Sequence, residues 1–205
     1  MIIFWVLIIA ISIGLLVVSA AARSMGVEMA YAHMALSAIM AAVFCLLAYR
    51  DVSAVSATGT QRDAAVSGLM SQYMGLVWAW GALALAVTYA TKIVTWKEWP
   101  AFFIVFAILS AVSFFISKRL LAAAETTDPD PTLMKFSRYL GIALLAGAVI
   151  VMLGLVIDGK MDNFLEIQRP NWQDWAANNY FFFGAAALAF LSAYGLIATK
   201  STKQS

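Results

Sequence analysis

Cut at its charged residues, the chain falls into six uncharged apolar runs: Met1–Ala22, Met29–Tyr49, Ala64–Thr91, Trp99–Ser117, Tyr139–Ile157 and Trp175–Thr199. A helix crossing a bilayer takes about 20 predominantly apolar residues, so each run predicts one transmembrane helix. The third run, upright, would reach about 42 Å at 1.5 Å per residue, against a hydrocarbon core of about 30 Å. Its first turns, Ala64–Gln72, are therefore expected at the headgroup level or in a tilted helix, which puts the spans at about 1–22, 29–49, 68–91, 99–117, 139–157 and 175–199. The expected fold is all-α: one membrane domain, 1–205, built as a compact bundle of six transmembrane helices with short loops. The first run ends in Ala20-Ala21-Ala22, a small-residue pattern that a signal peptidase accepts. It lacks a basic start and its apolar stretch is too long, so it reads as an uncleaved span.

Between the runs lie segments rich in helix breakers. Arg50–Asp63 is dominated by small and hydroxylated residues, and Asp128-Pro129-Asp130-Pro131 interrupts any continuing helix. The longest, Asp158–Asp174, carries Phe164, Leu165 and Ile167 and suits a short helix lying on the membrane surface. Composition then fixes the solvent. Of 205 residues 63% are apolar and 12% charged, with a net charge of +2, whereas soluble domains run at about 45–50% and 25%. A soluble enzyme, a disordered chain and a nucleic-acid binder are excluded. The lone Cys45 permits no internal disulfide.

Charge also orients the bundle. Six spans place both termini, Arg50–Asp63 and the segment around Lys118–Arg138 on one side, with eight cations against five on the other. The positive-inside rule makes that side cytoplasmic, in a bacterial-type inner membrane. Aromatic residues near the opposite interface agree with this: Trp96-Lys97-Glu98-Trp99 and Trp172-Gln173-Asp174-Trp175 share a Trp-x-acid-Trp pattern. Trp96, Trp99, Trp172 and Trp175 thus form an aromatic belt or a ledge for a lipid, a quinone-like molecule or a partner subunit.

Candidate chemistry is sparse. His33 is the only histidine, and Met25, Met29 and His33 share one helical stripe. Sulfur and imidazole are donors for copper or haem iron, and one imidazole can hold a chlorophyll magnesium. The alternative is packing, with His33 hydrogen-bonded inside the bundle. Gln72, Ser37 and Ser110 are the residues that a polar mid-membrane cavity would use. Asp51 and Asp158, and Tyr73 and Tyr180, recur 107 residues apart, as two three-span units in inverted arrangement would place them. Small residues at Ala143–Gly147 and Gly184–Ala187 permit close helix approach. No Asp, Glu, Lys or Arg falls inside a span, where ion-coupled carriers keep one. Three readings follow: a non-catalytic structural or accessory subunit of a larger membrane complex, with other subunits or its own copies as partners; a small-solute transporter or channel of two three-helix repeats; and a haem-, chlorophyll- or copper-binding subunit using His33.

Overall fold

The computed structural model describes residues 27–90, 99–126, 130–157 and 172–200, with side chains over 35–86, 100–126, 130–154 and 182–199. These residues form five helices: α1 (Val27–Ser53), α2 (Gly59–Ala90), α3 (Trp99–Ala124), α4 (Pro131–Ile157) and α5 (Trp172–Lys200). All five contain stretches long and apolar enough to cross a membrane. The first expected span, 1–22, and the surface segment expected within 158–171 lie outside the described residues.

Boundaries differ from the charge-delimited runs because charges at a membrane edge need not end a helix. α2 begins at Gly59, in the left-handed region at φ 57°, and runs 32 residues, about 48 Å. That exceeds the hydrocarbon thickness by about 18 Å, so roughly its first three turns extend past it. At the start of α4 the Asp-Pro pair does the opposite of breaking a helix. The Asp130 carboxylate accepts the Thr132 amide at 2.8 Å, and the Asp130 carbonyl accepts the Met134 amide at 3.2 Å. Asp130 is thus the N-cap and Pro131 the first helical residue, where a missing N–H costs nothing. α4 therefore starts eight residues before the expected span at Tyr139.

α2 is the centre of the bundle, with 56% of its apolar stretch buried against 11% for α4. Its closest partner is α3. A Cβ on Gly68 would meet Leu121 at 2.9 Å, one on Gly75 would meet the Phe114 ring at 3.3 Å, and one on Gly81 the Phe106 ring at 2.8 Å. As the glycines climb α2, their partners descend α3, so three notches at near-heptad spacing lock an antiparallel pair. Ser110, between Phe106 and Phe114 in sequence, donates to the Gly75 carbonyl at 2.9 Å. Small residues of this kind let membrane helices approach closely where no hydrophobic force separates protein from lipid. α1 and α5 pack on the other sides of α2 and bury Tyr73, Val52, Val66 and Leu191 completely or nearly so. α4 leans chiefly on α5 and touches α2 and α3 little.

The outer surface is apolar. Ile104, Ile108 and Phe115 on α3, and Ile142, Ile150 and Leu153 on α4, are exposed. In water such a surface would be unstable; facing hydrocarbon it costs nothing.

Candidate functional site

One end of the bundle is polar and basic. There α1 ends, α2 and α4 begin, and α3 and α5 end, which gathers Arg50, Arg62, Arg119, Lys135 and Arg138 at one level. Asp51 is the hub of one cluster: its carboxylate accepts Arg50 at 2.7 and 2.9 Å and the Tyr73 hydroxyl at 2.6 Å. The Arg50 side is exposed and worth little. The Tyr73 side joins a fully buried ring to a charged acceptor, and such bonds are about twice as strong as neutral ones. Arg62 donates to the Ala198 carbonyl at 2.7 Å, a cation on the carboxy-terminal end of α5. Gln61 donates to the Thr126 carbonyl at 2.8 Å. These contacts fasten helix ends to one another.

Above this layer, two cavities lie in the same seam between α2, α4 and α5, the upper one walled also by Phe102 and Phe106 of α3. The lower one has a volume of about 40 Å³. At about 10–15 Å³ for each water, it has room for roughly three water-sized groups. Its walls carry Ser67, Ser71, Ser137, Ser192, Thr199 and Arg138, with no acidic side chain. Ser192 is 2% exposed, and its hydroxyl has no hydrogen-bond partner. A helical serine ordinarily bonds back to the preceding turn, and an unpaired buried hydroxyl costs about 1–3 kcal/mol. The upper cavity is a chamber of about 350 Å³ walled almost wholly by apolar groups, among them Trp78, Trp80 and Phe106. Trp78 and Phe106 meet at 5.2 Å between ring centroids.

The cavities are consecutive along each helix. On α2 the walls run from 67–74 to 77–85, on α4 from 137–141 to 143–151, and on α5 from 199–191 to 188–184. Ala143, Gly147 and Gly184, expected to bring helices together, instead line the chamber, and a Cβ on either glycine would meet nothing within 4 Å. The reason is the placement of α4: held chiefly by α5, it leaves these small residues facing a gap.

No family model matches this chain, and neither a curated protein nor a solved structure is similar to it. The residues themselves must therefore carry the functional reading.

The expected polar-cavity residues are not gathered in either cavity. Ser110 sits in the α2–α3 interface, bonded to Gly75. Ser37 is buried beside a separate void of about 10 Å³ with Phe44, Val77 and Trp80, and Gln72 is half-buried on α2. Met29 and His33 belong to α1 and Met25 precedes it, but their side chains lie outside those described, as do those of Trp96, Trp99, Trp172 and Trp175. Trp99 and Trp172 begin α3 and α5, at the end of the bundle opposite the basic one. Among the described residues, no group of three His, Cys, Asp or Glu is placed to hold a metal.

Sequence reading missed Ser67, Ser71, Ser137, Arg138 and Ser192. One signal was present, since Ser67 and Ser71 are four apart and share a helix face. Pairing that face with Ser192 needed the tertiary arrangement.

Proposed function

We propose that the chain is a non-catalytic integral membrane protein serving as a structural or accessory subunit of a larger membrane assembly. It has six spans, with both termini on the cytoplasmic side of a bacterial-type inner membrane. The observation that carries the reading is the state of α4. A helix apolar enough to span has only 11% of that stretch buried, rests chiefly on one neighbour, and exposes Ile142, Ile150 and Leu153. Ala146, between Ile142 and Ile150, and Gly154, one turn beyond Ile150, are also exposed, and a Cβ on Gly154 would meet nothing within 4 Å. Alternating bulk and notch is the surface into which a second helix packs, as Leu121, Phe114 and Phe106 pack into α2. The charge distribution supports a passive role, because the charged residues of the five helices lie toward the helix ends rather than across the middle of the spans.

Extraction in a mild detergent followed by native mass spectrometry tests the proposal. The expected result is a discrete assembly heavier than one chain, with fixed stoichiometry. A stable monomer with no protein partner would overturn it.

A further inference from the structure

The two cavities of the α2–α4–α5 seam differ in chemistry and share one axis, and their spacing matches an amphiphile. We infer that this seam is a binding site for a phospholipid, with the phosphoryl group in the hydroxyl-lined cavity beside Arg138 and one hydrocarbon chain in the apolar chamber. The inference is independent of whether the chain joins a larger assembly.

Four observations carry it. The lower cavity is lined by Arg138 and five hydroxyl-bearing residues among methionine and leucine side chains, with no carboxylate; the Thr199 hydroxyl is already given to the Gly195 and Leu196 carbonyls, which leaves Arg138 and the four serines as donors for an anionic oxygen. Its volume of about 40 Å³ admits the two free oxygens of a phosphodiester while the rest of the headgroup stays outside. Ser192, 2% exposed and without a partner, lines this cavity and supplies a buried donor that an oxygen there would accept. The chamber above it, at about 350 Å³, falls within the roughly 300–1,000 Å³ of ligand sites. An apolar void of this kind does not fill with water, and hydrocarbon is the medium around it.

Depth agrees with this placement. Arg138 lies in the third helical turn of α4 at the basic end, the level at which phosphates sit. From Arg138 to Gly147, at the middle of the chamber wall, nine residues rise about 13–14 Å. Half of a hydrocarbon core of about 30 Å is about 15 Å, so one leaflet separates the two compartments. Entry is lateral, because α4 touches α2 and α3 little. Gly147 and Gly184 keep the chamber open, since neither bears a side chain and a Cβ on either would meet no atom within 4 Å.

The test uses the full chain, purified and delipidated in detergent, and titrated with dioleoyl phosphatidylglycerol, with dioleoylglycerol and with inorganic phosphate. Native mass spectrometry counts adducts and thermal unfolding reads the shift in midpoint. The expected result is one phosphatidylglycerol per chain with a raised midpoint. Arg138→Ala and Gly147→Leu each weaken it tenfold or more, and Lys135→Ala, an exposed cation on the same helix outside the cavity, leaves it unchanged. Ser192→Ala weakens the lipid-dependent shift without lowering the midpoint of the lipid-free chain. Should Gly147→Leu fail to fold, Ala143→Leu blocks the same chamber wall and decides the point. The proposal is overturned by the absence of an adduct or by equal losses in Arg138→Ala and Lys135→Ala, which would mean general surface charge. A full shift from phosphate alone, marking a free-anion site, or from dioleoylglycerol alone, marking a purely apolar site, would also overturn it.

Discussion

Replacing Gly68 by alanine tests the account of how the central helix pair is held. The added Cβ would lie 2.9 Å from Leu121 Cγ and 3.1 Å from the Leu121 backbone nitrogen. Carbon atoms pack best at about 3.5–4.0 Å, so α2 and α3 must part locally by about 0.5–1 Å. A rotamer change cannot relieve this, because one of the two contacts is backbone. Overpacking of this kind costs about 1–3 kcal/mol, while alanine regains up to about 1 kcal/mol of helix propensity over glycine. The net expectation, with the full gain in helix propensity, is a loss of about 0–2 kcal/mol, up to a factor of roughly 30 in the folded ratio. Two controls isolate the cause. At Gly154 a Cβ meets nothing within 4 Å, so Gly154→Ala is expected to gain about 0.5–1 kcal/mol. At Gly195 the obstacle is Met70 Cγ at 2.8 Å, on a flexible side chain that can move, so Gly195→Ala falls between the other two. Reversible unfolding in mixed micelles, followed by circular dichroism, ranks the three. Equal stability of Gly68→Ala and Gly154→Ala would refute the reasoning that close approach at Gly68 locks the pair.

Other contacts give local expectations. Asp130→Ala removes the N-cap of α4 and costs about 1 kcal/mol, with faster hydrogen exchange at the amides of Thr132 and Met134. Tyr73→Phe keeps the buried ring but removes the bond to Asp51, costing about 1 kcal/mol by the same unfolding assay, since Asp51 remains reachable by water. Arg62→Ala releases the Ala198 carbonyl and is expected to fray the last turn of α5, at up to about 1 kcal/mol, seen as accelerated exchange there and not in α3. Arg50→Ala changes stability by less than about 0.5 kcal/mol, because its partner is an adjacent, solvent-screened carboxylate.

The hydrophobic runs revealed the class of fold because a bilayer imposes one length on every apolar helix, and that constraint acts on each segment alone. Helix ends were less legible. Asp130-Pro131 reads as a break until it is clear which side of the pair the helix occupies, and Arg50–Asp63 shrinks to a short link because its flanking charges can sit at headgroup level without ending α1 or α2. Glycines divided by context: Gly68, Gly75 and Gly81 are notches for α3, while Gly147 and Gly184 border a chamber, and nothing local distinguishes the two uses. Spacing did carry information at the notches, where near-heptad intervals on α2 answer similar intervals on α3. The seam was illegible for a different reason. Its donors come from three helices, and Ser192 becomes conspicuous only once its burial and lack of a partner are known. Asp51 and Tyr73, noticed through a possible internal repeat, turn out to be bonded to each other.

We propose that the exposed face of α4 meets another protein in the membrane. A photoreactive amino acid placed at Ile150, 68% exposed on α4, and separately at Ile108, 56% exposed on α3, tests it in native membranes. A single protein adduct of defined mass is expected from position 150, absent or much weaker from position 108. Lipid adducts alone from position 150, or the same protein adducts from both positions, would contradict it.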